Sequence, residues 1–171
     1  MMLIVFRGLP GTGKTRLARG LLERCTDLLV LSRDSLRSGI FPHPTFSEEE
    51  KALVDGLIVD MADYLMAAGK SVVIDGMALS SARLLERFAR AAGAHHEGIR
   101  IIECTCTEET ALARIAADRD THPAGDRGAD LYYRVRERFE PTELRFLSID
   151  TDGDEEQNLE AILGYIENPP V

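Results

Sequence analysis

The sequence predicts a three-layer α/β domain, a five-stranded and mostly parallel sheet with helices on both faces. Three observations carry this. Short apolar runs alternate with stretches of helical periodicity along the chain, the pattern of strands joined by helical crossovers. The strand runs are apolar throughout instead of alternating, as expected where both faces of a parallel sheet are covered. The 171 residues show no internal repeat and no linker, so one domain spanning 1–171 is expected.

Taken in order, residues 2–7 form an apolar first strand that runs into a glycine turn. Residues 14–24 follow as a helix with Leu17, Ala18, Leu21 and Leu22 at helical spacing. Residues 28–32 read as a second buried strand, and Asp34 opens a short helix ended by Gly39. After an irregular segment at 41–44, Ser47 with Glu50 three residues on makes a capping box for a long helix stopped by Gly69. A third strand covers 71–75, and Ser80 or Ser81 caps a helix that ends at Gly93. Residues 99–104 form a fourth strand, and Thr107 caps a helix over 108–117. The charged stretch 118–128 contains Pro and Gly and is expected to be a mobile loop. A helix over 129–139, a fifth strand over 145–150 and a closing helix over 155–167 complete the pattern.

Composition narrows the class. Hydrophobic residues at 44% and charged residues at 29% suit a globular protein and exclude a disordered or fibrous one. No apolar run approaches the roughly 20 residues that span a bilayer. The apolar start, residues 1–6, lacks a basic flank and a cleavage site. A cytoplasmic protein without a membrane partner is therefore expected. Cys25, Cys104 and Cys106 give an odd count without metal-ligand spacing, which suits reduced core thiols. No spacing among His43, His95, His96 and His122 suggests a metal or a triad. The net charge of −9 disfavours an extended grip on nucleic acid, although it leaves room for a local basic pocket.

The strongest motif is Gly8-Leu9-Pro10-Gly11-Thr12-Gly13-Lys14-Thr15, a full match to the Walker A phosphate loop. Gly8, Gly11 and Gly13 let the backbone turn its N–H groups onto phosphate oxygens, and Pro10 and Thr12 complete the loop. The helix that begins at Lys14 points its positive end at the same anion. Lys14 is placed to neutralise the β and γ phosphates, and the Thr15 hydroxyl to ligate Mg²⁺. Nucleoside triphosphate binding on a P-loop NTPase fold follows.

Three further residues are candidates for chemistry. Asp75 ends the third strand, where a Walker B carboxylate would sit, either to hold Mg²⁺ through water or orient an acceptor, since ligands bind beyond the carboxyl ends of such strands, or only to cap the turn with Gly76. Asp34 and Arg37 lie three apart on one helical turn. Asp34 would serve either as general base toward an attacking hydroxyl or as a helix cap, with Arg37 either holding the acceptor or facing solvent.

The phosphate loop, the block Arg33-Asp34-Ser35-Leu36-Arg37 and the segment Asp75-Gly76-Met77-Ala78-Leu79 with Arg83 together resemble the phage-type polynucleotide 5′-kinase family. They are also similar to the wider P-loop kinases that include zeta-toxin-like, chloramphenicol-phosphotransferase-like and gluconate-kinase-like proteins. The resemblance spans residues 2–152. It implies ATP as donor, Asp34 as general base, and Arg37, Asp75 and Arg83 at the acceptor. It also implies a small lid over about 114–128, with Arg119 first and Arg114 second as the arginine that closes on the triphosphate. The turn 150–153 would then lie near the adenine.

The expected activity is transfer of the γ-phosphate to a hydroxyl, on a small alcohol or on a polynucleotide 5′-OH, with the acidic charge favouring the small alcohol. The competing class is a P-loop ATPase or nucleotide-dependent switch with no acceptor.

Overall fold

In the computed structural model the chain is described over residues 1–95, 98–118 and 128–168. Five strands form one sheet: β1 (Leu3–Arg7), β2 (Leu28–Ser32), β3 (Ser71–Asp75), β4 (Ile99–Thr105) and β5 (Phe146–Asp150). Their order is β2-β3-β1-β4-β5, and every pairing is parallel. Among the described residues seven helices connect and follow them: α1 (Lys14–Arg24), α2 (Arg33–Ile40), α3 (Glu48–Ala67), α4 (Ala82–Gly93), α5 (Glu108–Ala117), α6 (Ala129–Glu137) and α7 (Glu155–Glu167). This is the predicted α/β fold, with the sheet between two helical layers.

The alternation of side chains along β1 divides the core. Leu3 and Val5 face α3 and α4, where they join Ile58, Met66, Val72, Ile74, Leu85 and Phe88. Ile4 and Phe6 face α1 and α7, against Leu17, Leu21, Val73, Ile102 and Ile162. A smaller cluster of Ala111, Ile115 and Tyr132 ties α5 to α6.

The expectation of uniformly buried strands holds for β1, β3 and β4 but not for β2. Leu29 and Val30 are 38% and 42% exposed, because β2 is an edge of the sheet and pairs on one side only. β5, the other edge, leaves Phe146 exposed.

Two caps also differ from expectation. Ser47 accepts the Glu50 N–H at 3.2 Å, but the Glu50 carboxylate does not return to Ser47. It turns to Thr45, Phe46 and Arg37 instead. Ser81 precedes α4 without a side-chain cap, and the Ala82 N–H is accepted by the Glu140 carboxylate at 2.7 Å.

The cysteines are free. Burial pushes the Cys104 thiol up to about 12, so it packs as an inert core group. His95 pairs with Asp63 of α3 at 2.9 Å, while His96 and His122 lie outside the described residues. Among the described residues no helix is long and apolar enough to cross a membrane.

Candidate active site

The carboxyl ends of β1, β2 and β3 place three segments side by side. β1 delivers the glycine loop, β2 delivers Asp34 through α2, and β3 delivers Asp75 and Gly76. The β2–β3 register pairs Ser32 with Asp75 at this edge.

The loop is held in shape by its own backbone. Gly11 has φ +80°, and a Cβ there would sit 2.4 Å from the Ala111 carbonyl oxygen, so a side chain is excluded on both counts. The Lys14 ammonium reaches back over the loop to the carbonyls of Gly8 (2.9 Å) and Leu9 (2.7 Å). The Thr12 hydroxyl donates to the Leu9 carbonyl at 2.7 Å, so Thr12 braces the loop from within. Gly13 in left-handed geometry caps α1 and turns the first helical N–H groups toward the concavity.

Thr15 Oγ1 donates to Asp75 Oδ1 at 2.9 Å. A hydroxyl and one carboxylate at this separation fit Mg²⁺, which retains waters and binds through one or two protein oxygens plus substrate phosphates.

Asp34 is not the helix cap. The Ser32 hydroxyl takes that role by accepting the Ser35 N–H at 3.3 Å, so the Asp34 side chain is not bound to that task. Its Oδ1 lies 3.6 Å from Arg37, and a Cβ at Gly76 would come within 3.3 Å of its Oδ2. The bare backbone of Gly76, with φ +74°, is what lets the carboxylate stand this close to the end of β3.

Arg37 is 5% exposed, an unusual degree of burial for a guanidinium. Its Nε pairs with the Glu50 carboxylate at 2.9 Å, and its guanidinium carbon lies 5.0 Å from the Phe46 ring centroid. Glu50 also accepts from Thr45 N–H, Thr45 Oγ1 and Phe46 N–H, at 2.7, 2.9 and 3.2 Å. Burial pushes the Glu50 carboxyl up, but these hydrogen bonds and the Arg37 charge outweigh it and hold the group below its ordinary value. One carboxylate thus clamps the loop before α3 onto Arg37.

A cleft of about 1130 Å³ joins these groups. Pro10, Lys14 and Thr15 form one end, and Arg33, Asp34, Arg37 and Phe46 one wall. Residues 76–81 and Leu84 make the floor, and the α6 side supplies Leu131, Arg134, Val135 and Arg138. Arg83 does not line the cleft; it is exposed on the first turn of α4.

Arg114 sits on the opposite side of the loop. Its guanidinium donates to the Thr151 hydroxyl and carbonyl, both at 2.9 Å, and to the Gly11 carbonyl at 3.4 Å. It ties the glycine loop to the turn after β5. Arg119 and most of the expected lid, residues 119–127, lie outside the described residues.

Sequence reasoning missed three residues that shape the site. Glu50 was read only as a capping partner. Glu140 caps α4 with its carboxylate, and its carbonyl accepts from Arg7 at 2.9 Å. Arg7, fully buried in β1, stacks 4.5 Å over Phe139 and pairs with Glu103 at 3.1 Å. A charged residue closing an otherwise apolar strand was the available signal.

The parallel sheet and the glycine loop at the end of its central strand define a P-loop NTPase-like α/β protein. A family model described as an AAA domain matches residues 3–141, and the chain belongs to that family. No curated protein sequence matches it significantly. Among solved structures, a gluconokinase from Sinorhizobium meliloti is similar at TM-score 0.71 and 15% identity, covering 96% of this chain and 90% of that one. The APS kinase of Mycobacterium tuberculosis, in complex with AMPPNP and APS, aligns at TM-score 0.72 and 18% identity over 98% of both chains. Kti12 from Chaetomium thermophilum, bound to ADP-AlF3, aligns at TM-score 0.72 and 18% identity, over 96% of this chain and 98% of that one.

Proposed function

We propose that the protein is an ATP-dependent phosphotransferase that moves the γ-phosphate to an alcohol hydroxyl, with residues 1–171 acting as one kinase domain and 114–128 as its lid. One observation carries the reading: a single cleft joins Lys14 and Thr15 at its phosphate end to Asp34 and Arg37 on its wall. A nucleotide-hydrolysing switch has no need of a buried guanidinium and a carboxylate facing a cleft with room for a second substrate. The kinases among the similar structures add support at the level of fold.

In this reading the glycine loop and Lys14 hold the triphosphate. Thr15 and Asp75 would hold the Mg²⁺ ion, and the positive charge it supplies when bound would offset the negative charge that develops in the transfer. Asp34 accepts the proton of the acceptor hydroxyl as its oxygen bonds to the γ-phosphorus. The bond from phosphorus to the bridging oxygen breaks, and that oxygen leaves on ADP. Arg37, fixed by Glu50 and Phe46, keeps a cation beside Asp34 to orient the acceptor or the migrating group. The lid arginines, Arg119 first, would exclude water and complete the charge.

Transfer of label from γ-labelled ATP with Mg²⁺ tests this. The acceptor panel holds 5′-OH oligonucleotides, nucleosides, sugar acids and aminoalcohols, beside a control without acceptor. Transfer to an alcohol is expected. It should be abolished in Lys14→Ala and reduced about 10²–10⁴-fold in Asp34→Asn, with ATP affinity little changed in the latter. Acceptor-independent phosphate release would replace this reading with the ATPase, and full activity in Asp34→Asn would remove the general base.

A further inference from the structure

The walls of the cleft differ in how their charges are matched. On the α2–α3 side each cation has a partner. Arg33 pairs with Asp55 at 2.9 Å, Arg37 with Glu50 at 2.9 Å, and Lys51 with Glu48 at 2.9 Å. The α6 side is different. Leu131, Arg134, Val135 and Arg138 follow the spacing of one helical face, and all four line the cleft. Among the described residues neither Arg134 nor Arg138 makes a hydrogen bond or an ion pair.

The contrast within α6 is informative. Arg136, on the adjoining face, pairs with Glu108 at 2.6 Å and stacks on the rings of Tyr132 and Tyr133. A surface arginine of this helix therefore finds close partners where they exist, while among the described residues the two facing the cleft make no hydrogen bond or ion pair. A general preference for cations at a helix C-terminus does not separate them, since all three lie near that end. The Arg138 charge reaches Glu48 on the opposite wall, so the pair faces the wall that carries Asp34. Glu137 and Glu140 line this side as well, so the charges balance in number, but the Glu140 carboxylate is engaged with the Ala82 N–H at 2.7 Å and neither carboxylate bonds an arginine of the pair.

We infer that the acceptor is a small anionic alcohol, whose phosphate-monoester or carboxylate group is held by Arg134 and Arg138 while its hydroxyl meets Asp34. The inference rests on the phosphotransferase reading and deepens it. Two guanidiniums one turn apart match the planar, multi-oxygen face of such a group, and each charged contact is worth roughly tenfold or more in affinity. Phe46, Met77, Leu84, Leu131 and Val135 offer apolar contact to the body between the two ends. The pair also discriminates: a cationic aminoalcohol would be repelled, and a neutral one would gain nothing from it.

The test compares matched acceptors that differ in whether the anionic group is present: thymidine 3′-monophosphate against thymidine, and gluconate against glucitol. Labelled transfer is followed at varied acceptor concentration. Wild-type protein should prefer the anionic member of at least one pair by about a hundredfold in kcat/KM, and the better pair says whether phosphate or carboxylate is read. The double variant Arg134→Gln, Arg138→Gln should reduce that preference below tenfold, and Arg134→Lys with Arg138→Lys should restore part of it. Melting temperature checks that the variants fold; should the glutamine pair not fold, the lysine pair and the wild-type preference still decide the matter.

Transfer to neutral and anionic alcohols alike would overturn the inference and leave the phosphotransferase standing. An equal loss toward both members of a pair would also overturn it, because the arginines would then serve the transferred phosphate. ATP hydrolysis with no alcohol phosphorylated would overturn both readings.

Discussion

Gly76 shows how much of the site rests on a missing side chain. Its positive φ is open to glycine, and a methyl there would meet Asp34 N at 3.2 Å and Oδ2 at 3.3 Å. Gly76→Ala is therefore expected to displace Asp34 and lower kcat tenfold or more, with nucleotide affinity nearly intact. Steady-state kinetics with varied ATP and acceptor separate the two effects. Glu50 makes a different case. A carboxylate held below its ordinary 4.5 in the folded state contributes stability that is fully present above that value. That contribution is lost as pH falls through the depressed folded value. Urea midpoints measured from pH 7 to pH 3 should show this loss in the wild type and a flatter profile in Glu50→Gln. The same variant should raise the acceptor KM, because Arg37 and the loop at Thr45 and Phe46 lose their common anchor.

At the level of elements, α4 illustrates a start that local sequence does not explain. Its first turn is capped from outside by Glu140, so Glu140→Ala should destabilise the protein by about 0.5–2 kcal/mol, read from urea unfolding. Ser81 precedes the helix and makes no such bond, so Ser81→Ala should cost less. The boundaries of most elements were nonetheless legible, because periodicity, caps and glycine stops are local signals. The strands 28–32 and 71–75 have nearly the same apolar texture, yet one is a half-exposed edge and the other is central. A strand's composition does not reveal how many neighbours it has. The phosphate loop was legible residue by residue, since its shape is written in consecutive positions. The clamp of Arg37 by Glu50 was not, because it joins two helices across a loop. Nor was the turning of Arg114 toward Thr151, which depends on where β5 ends.

Across the whole molecule, nucleotide binding should be visible as stability. A ligand at one hundred times its Kd adds about 2.7 kcal/mol, which for a domain of this size raises Tm by roughly 5–10 °C. Thermal unfolding with and without ATP and Mg²⁺ should show that shift in the wild type and not in Lys14→Ala. The strand order has one more outcome, in the timing of biosynthesis. β1 carries the glycine loop but pairs only with β3 and β4, whose residues emerge from the ribosome long after its own. Between Arg7 and Thr105, translation at about 5–20 residues per second takes on the order of 5–20 s. In the earlier part of that interval, before β3 at Ser71–Asp75 is made, the nascent chain displays Leu3, Ile4, Val5 and Phe6 with no strand to receive them, a stretch open to chaperones and to neighbouring nascent chains. A chain stalled before β4 would carry the whole phosphate loop without one of the two strands that flank β1, and is expected to bind nucleotide poorly.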